Sequence, residues 1–229
     1  MKALYFTLFA TTLGLSSLSH ADFIGLKGDV SYWNIDGNAN LDQKYLHEQD
    51  IDRDGTVQVS VAFEHPIPLL PNVKAKYTKL DVTTETNGFS TQKAAIDLDH
   101  TDLILYYEIL DNIVRADVGV GATLLNGNLQ QFNQTQNVDE YAPIIYAEVG
   151  GKLPFTGLSA KAEATYTDIN DVKMTDVQAE IQYDFIKSLF LDVGGKVGYR
   201  VLNIELDDLN RKDVKMDFRG PYVGLNLHF

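Results

Sequence analysis

Apolar and polar residues alternate with a period of two over most of this chain. Within 113–125, Val114, Ala116, Val118, Val120 and Ala122 alternate with Arg115, Asp117, Gly119, Gly121 and Thr123. Within 189–203, Leu191, Val193, Val197 and Tyr199 alternate with Asp192, Lys196, Gly198 and Arg200. Within 73–82, Val73, Ala75 and Tyr77 alternate with Lys74 and Lys76. In the last ten residues, Val223, Leu225, Leu227 and Phe229 share one parity, and Tyr222, Gly224, Asn226 and His228 the other. Successive side chains of a strand point to opposite faces of the sheet, so each stretch reads as a strand with one apolar face. Ten are predicted, near 23–33, 56–65, 73–82, 98–110, 113–125, 141–153, 158–168, 174–186, 189–203 and 214–229.

The connections differ in character. Tight links rich in turn residues join the second and third strands (65–72), the fourth and fifth (Asp111-Asn112), the sixth and seventh (154–157) and the eighth and ninth (Lys187-Ser188). Most others are longer and polar, notably 34–55, 83–97, 126–140 and 204–213, while the link near 168–173 is short. Short turns on one side and long loops on the other are the pattern of a membrane barrel. An apolar last strand ending on Phe229 would leave an open edge in a sandwich, whereas a closed barrel pairs it with the first strand. The fold class expected is therefore all-β, a transmembrane antiparallel up-and-down β-barrel of about ten strands, with eight as the smaller variant.

Which face looks out is decided by free energy. An arginine or lysine facing lipid at mid-membrane costs about 2–4 kcal/mol, so the apolar parity is expected outside and the charged parity inside. A soluble barrel would have the opposite facing. The aromatics of the apolar parity support the first choice. Phe63, Tyr107, Tyr183, Phe185 and Phe229 fall toward the turn ends, and Tyr32, Tyr141, Tyr166 and Tyr199 toward the loop ends. Two rims of amphipathic rings suit two membrane interfaces. The fourth strand does not keep one parity: Ile96 and Leu98 have one, Leu103, Leu105 and Tyr107 the other. A bulge near Asp99-His100, or a strand continuing beyond the membrane, would account for that.

Composition adds a compartment. Met1-Lys2, an apolar run to about Leu18 and Ser19-His20-Ala21 read as a secretory signal peptide over 1–21, with the barrel domain over 22–229. The chain has no cysteine, so no disulfide framework supports it. No later apolar run approaches the ~18 residues of a spanning helix. The net charge of −13 argues against nucleic acid as a partner, since that needs basic patches.

The C-terminal residues Gly224, Leu227 and Phe229 resemble the assembly signal that bacterial outer-membrane barrels present. The stretches 22–26 through Tyr32-Trp33-Asn34, Asn72-Val73-Lys74-Ala75-Lys76-Tyr77 and Thr101-Asp102-Leu103 through Leu105-Tyr106-Tyr107-Glu108 resemble a largely uncharacterised family of proteobacterial outer-membrane β-barrel proteins. That likeness implies a porin-like fold in the outer membrane of a Gram-negative cell, reached through the periplasm. The partners expected are outer-membrane lipid and lipopolysaccharide, with the barrel-assembly machinery engaging the C-terminal strand, and the protein is expected to be a monomer. The likeness carries no catalytic residues.

The inward set is expected to include Lys27, Asp29, Glu64, Lys74, Lys76, Asp102, Glu108, Arg115, Asp117, Glu148, Lys152, Lys161, Glu163, Glu180, Asp184, Asp192, Lys196 and Arg200. Buried charges need partners, and a lumen of about ten strands is narrow. A network of paired charges closing the lumen is therefore expected over a water-filled pore. The role expected is structural or surface-interacting, not enzymatic. The alternatives are a narrow channel for ions or small solutes, a membrane-barrel hydrolase, or a soluble periplasmic lipid-binding barrel. A hydrolase would have to draw on a group such as Ser90, Asp99 and His100, whose spacing does not require them to meet. Asp50-Ile51-Asp52-Arg53-Asp54-Gly55 matches the first half of an EF-hand loop, which makes Asp50, Asp52 and Asp54 candidate Ca²⁺ ligands. Val61 stands where the closing glutamate should be, so a solvated acidic loop is the alternative. No other cofactor is expected.

Overall fold

The computed structural model describes residues 25–41, 49–67, 69–84, 93–131, 134–169, 171–188, 191–209 and 212–229; the signal segment 1–21 and Ser90 lie outside them. The elements are β1 (Gly25–Asn40), β2 (Gln49–Asp50), β3 (Asp54–Glu64), β4 (Asn72–Thr83), β5 (Ala95–Asp111), β6 (Val114–Gln131), β7 (Gln134–Lys152), β8 (Leu158–Ile169), β9 (Val172–Lys187), β10 (Asp192–Leu209) and β11 (Lys212–His228). Apart from β2, the strands pair antiparallel with their neighbours in sequence, and β11 returns to pair with β1. The result is a closed, up-and-down barrel of ten strands, the fold class expected. The two-residue β2 adds to the loop-side end of β1, where Asn38 faces Asp50. At the turn end, Leu26 N–H donates to Phe229 O at 3.3 Å and Phe229 N–H donates to Leu26 O at 2.9 Å. The last residue thus has its backbone groups satisfied by the first strand, so no edge is left there.

The expected facing holds in the turn-side half. On β6, Val114, Val118 and Val120 are exposed outside, and Asp117 is buried inside. On β9 the outward run from Val177 to Phe185 is apolar, while Asp176, Gln178 and Glu180 are buried inside. Such runs are roughly nine residues long, the length that crosses a membrane at barrel tilt. With ~3.3 Å per residue and ~40° of tilt they make a belt about 23 Å high. The aromatics expected at its rims all point outward. Two of their hydroxyls also point away from the belt, Tyr166 to Asp168 at 3.2 Å on the loop side and Tyr107 to the Leu69 carbonyl at 2.9 Å on the turn side, as does that of Tyr77, which reaches Asp99 at 2.6 Å on the loop side.

In the loop-side half the facing reverses. The strands do not stop at the belt. Segments 34–55, 126–140 and 204–213, expected as loops, are largely strand, since β1 runs to Asn40, β6 and β7 meet at 131–134, and β10 and β11 meet at 209–212. Along β4 the inward residues pass from Lys74, Lys76 and Thr78 to Leu80 and Val82, all buried, while the outward ones pass from Val73 and Tyr77 to Lys79, Asp81 and Thr83. The same exchange runs through β10, where Leu202, Ile204 and Leu206 follow Lys196 and Arg200 inside, and through β11, where Val214, Met216 and Phe218 are buried above Tyr222. These residues, with Trp33, Ile35, Leu98, Leu125, Leu129 and Val138, form one apolar core inside the protruding half. The parity change on β5 has the same origin. Its register against β4 is unbroken from Ala95 to Tyr106, so there is no bulge at Asp99-His100, and the strand continues past the belt. Membrane-barrel facing and soluble-barrel facing are both present, one above the other.

Candidate functional site

Because side chains fill the barrel, the lumen is where chemistry is to be sought. At the level where the facing reverses, Arg200 is fully buried and donates twice to Asp176, through Nε at 2.8 Å and Nη2 at 2.9 Å. Nη1 donates to Gln58 Oε1 at 2.8 Å and to Thr78 Oγ1 at 2.9 Å. Its guanidinium lies over the Trp33 ring, 4.6 Å from the centroid. Trp33 in turn donates its indole N–H to Gly220 O at 3.1 Å. At this level the ladder between β1 and β11 is interrupted: they pair at Trp33–Tyr222 and again at Asp36–Arg219, but not between. His100 lies 3.0 Å from Asp102 through Nε2 and 3.4 Å from Arg200 through Nδ1. A guanidinium only donates, so Nδ1 accepts and Nε2 carries the proton toward Asp102.

Below this layer most of the charges expected inside are found paired. Lys74 bonds Glu163 and reaches Glu148 at 3.3 Å; Lys76 reaches Glu163 at 2.7 Å and Asp176 at 3.1 Å. Lys196 bonds Asp29 and reaches Glu180 at 3.0 Å, and Lys161 lies 3.4 Å from Glu180. Three inward tyrosines complete the network: Tyr106 donates to Glu64 at 2.8 Å, Tyr146 to Glu148 at 3.1 Å and Tyr222 to Glu180 at 2.6 Å. They sit on the polar parity of their strands, the signal by which sequence could have placed them inside. At the turn end the lumen opens into a vestibule of about 120 Å³, lined among others by Lys27, Glu64, Asp117, Lys152, Asn226 and His228. Its inner end meets the paired charges and then the apolar core.

The other candidates separate. Asp52 bonds Lys93 and accepts from Thr83 Oγ1 at 3.0 Å, and these bonds hold its carboxyl below the usual carboxylate range. Asp54 accepts from the Gly55 N–H at 2.7 Å, and Asp50 is exposed on β2. Each of the three has its own surroundings, and among the described residues no group of three or more acidic or histidine side chains is placed to hold a metal ion. The segment that matches the EF-hand loop is taken up by β2 and by a bridge from Ile51 to Thr84. Asp99 and His100 are on opposite faces of β5: Asp99 outside with Tyr77, His100 inside with Asp102. Strand alternation prevents them from forming a catalytic pair.

No known protein family matches the chain, and no curated protein sequence matches it either. Solved structures do. The outer membrane protease OmpT of Escherichia coli is similar at 7% identity and a TM-score of 0.41, over 90% of this chain and 96% of that one. The outer membrane protein AlkL is similar at 12% and 0.42, over 92% of each chain. A FadL homologue of Pseudomonas aeruginosa is similar at 10% and 0.38, over 91% of this chain and 90% of that one. At such values the likeness carries nothing about activity or cargo. The family resemblance seen in the sequence therefore reduces to its coarser content, a closed antiparallel β-barrel.

Proposed function

We propose that this protein is an integral outer-membrane β-barrel with a closed lumen and a structural or surface-interacting role. The observation that carries the reading is the reversal of facing at one level around the barrel. Below that level, an apolar outer wall rimmed by aromatics suits lipid. Above it, an outer wall of Asp36, Asp81, Asp97, Asp99, Asp139, Glu205 and Asp217, with fewer lysines and arginines, suits water. The polar upper barrel stands about 20 Å beyond the belt where strands run six to nine residues further, so it is presented to the medium or to the saccharide of lipopolysaccharide. In this reading the chain is exported with a cleaved 1–21 signal and inserted through its C-terminal strand. A monomer suits a barrel whose edges are closed.

The closed lumen distinguishes this role from a channel. A solute entering the vestibule meets Lys74, Lys76, Arg200 and then Trp33, all buried. Opening a path would separate ion pairs that have no water to replace their partners, which costs about 3–5 kcal/mol for each buried pair broken. The test is planar-bilayer recording of the refolded protein, with folding checked by its gel mobility before and after boiling. Silence is expected. Reproducible single-channel steps would replace the closed barrel with a channel.

A further inference from the structure

In the protruding half, β7 has an open flank. β7 begins at Gln134, at the top of the hairpin it forms with β6, while β8 stops at Ile169. The β7–β8 ladder runs upward only to Ile145–Tyr166, and the same register carried on would set Ile169 beside Ala142. Above that height β7 pairs with β6 on one side and, among the described residues, with no strand on the other. Neighbouring strands also part between β3 and β4 above Gln58–Thr78. There the gap is closed by the Ile51–Thr84 bridge and by the Asp52 N–H, which donates to Thr83 O at 2.8 Å. Pro143 turns its nitrogen toward β8, so the residues of its parity, Thr135, Asn137, Asp139 and Tyr141, turn their N–H and C=O groups to the open flank. At ~3.3 Å per residue the free row is about 20 Å long, the length of an ordinary strand.

The surroundings of this row are acidic. Asp139 and Glu140 lie on β7 itself, and Asp168 and Asp171 lie at the β8–β9 turn below it. Asp207 is joined to that turn, its N–H donating to Asp171 O at 2.8 Å. Lys173, beside the turn, faces Asp168 across the ladder and reaches Glu205 at 3.6 Å. A free edge is a template for another strand, and these carboxylates select which one. A second copy of this chain would bring its own net charge of −13 to the contact. A strand that carries lysine or arginine brings the opposite sign, and opposite charges on facing strands stabilise the pairing. Tyr141, outward on the same row and 76% exposed, offers its ring to such a cation. On the inward parity, Gln136 Oε1 is buried with no hydrogen-bond partner, an acceptor that a neighbouring strand can supply with a donor.

We propose that the free flank of β7, over 135–141, accepts an extended basic segment of a partner polypeptide by strand addition. The segment takes the place that β8 leaves above its turn. Its backbone pairs with Thr135, Asn137, Asp139 and Tyr141, and its outward lysines or arginines stand beside Asp139 and Tyr141. This specifies the partner of the surface-interacting role and rests, as that role does, on the upper wall standing in water.

The test is hydrogen exchange and calorimetric titration of the refolded full barrel in detergent with a synthetic peptide alternating lysine and threonine, long enough to cover 135–141. Saturable binding on the order of 10–100 μM is expected, with the amides of Asn137, Asp139 and Tyr141 gaining protection. The same peptide with glutamate for lysine, or N-methylated on alternate amides, should not bind. Asn137→Pro removes an edge donor and no charge, and it should weaken binding about tenfold. Asp36→Asn, on β1 across the barrel, should not change it. Absence of binding, equal affinity in Asn137→Pro, or binding of the N-methylated peptide would overturn the proposal, the last two by showing attraction without strand pairing. Self-association of the barrel that Asn137→Pro abolishes would assign the flank to a second copy and overturn it too. The N-methylated peptide keeps the test decisive if Asn137→Pro fails to fold. Free exchange of these amides before peptide is added checks the watery upper wall by itself, so failure of that footing is told apart from failure to bind.

Discussion

Arg200 is the side chain on which the interior turns from charged to apolar. Its fork engages Asp176 on two bonds, and its remaining donors reach Gln58 and Thr78 on strands across the lumen. A lysine would keep the charge but lose the planar fork. Arg200→Ala leaves Asp176 with Lys76 alone and opens space against Trp33, and the expected loss is about 3–5 kcal/mol of unfolding free energy. Urea unfolding in detergent measures it. The chain has a single tryptophan, so the optical probe comes with the protein. Trp33 is fully buried. Its emission should therefore be blue-shifted and shielded from acrylamide in the native barrel, and exposed in Arg200→Ala. Asp52 acts on a smaller scale. Its folded-state carboxyl is depressed by the Lys93 and Thr83 bonds, so the tie it makes is present above the usual carboxylate pKa near 3.8 and is lost as pH falls through the folded value. The protection factor of the amides at the Ile51–Thr84 bridge, their exchange rate relative to an unstructured amide at the same pH, should stay constant from pH 7 to pH 5 and fall only below the ordinary carboxylate range. A fall between pH 7 and 5 would contradict it.

At the scale of the strand, prolines decide where ladders stop. Pro143 keeps its place in the unbroken β6–β7 ladder, so its nitrogen must face β8. The β7–β8 ladder ends at Ile145–Tyr166, just before it. Above that point β7 continues to Gln134 with no described ladder partner on its β8 side. Exposed edges of this kind are guarded by charge and proline, and Asp139, Glu140 and Pro143 supply both. Backbone amides of 136–144 that point toward β8 should exchange faster than those of 145–151 by orders of magnitude, since unpaired groups lack the protection of the ladder. Equal protection would show that something covers this edge. The strands also mark what sequence could and could not reveal. The belt was legible because Val, Ala and Leu alternate with Lys, Asp and Glu over whole spans. The protruding half was read as loop because its inward apolar residues are separated by Asn, Asp, Gly and Gln, as in Leu125-Asn126-Gly127-Asn128-Leu129. A polar outer wall in water looks like a loop to any reading that expects lipid outside. That Glu108, Asp117, Glu148 and Glu163 stand side by side across β5, β6, β7 and β8 was not legible at all, since they come together only through the registers of four strands.

For the whole molecule, the central claim is one barrel in two media. The lower wall excludes water outside and holds it or paired charges inside, whereas the upper wall meets water outside and is dry inside. Neither half is a separate domain, since the same ten strands run through both. A polar substitution should therefore change sign of effect with height on one face. The direct measurement is nitroxide accessibility at Val120 and Asn126, two outward positions of β6 six residues apart. With the protein in lipid vesicles, a label at 120 should collide with oxygen and be shielded from a water-soluble nickel chelate, and a label at 126 should do the reverse. Water-like accessibility at 120, or lipid-like accessibility at 126, would contradict the reversal of facing and the membrane reading built on it.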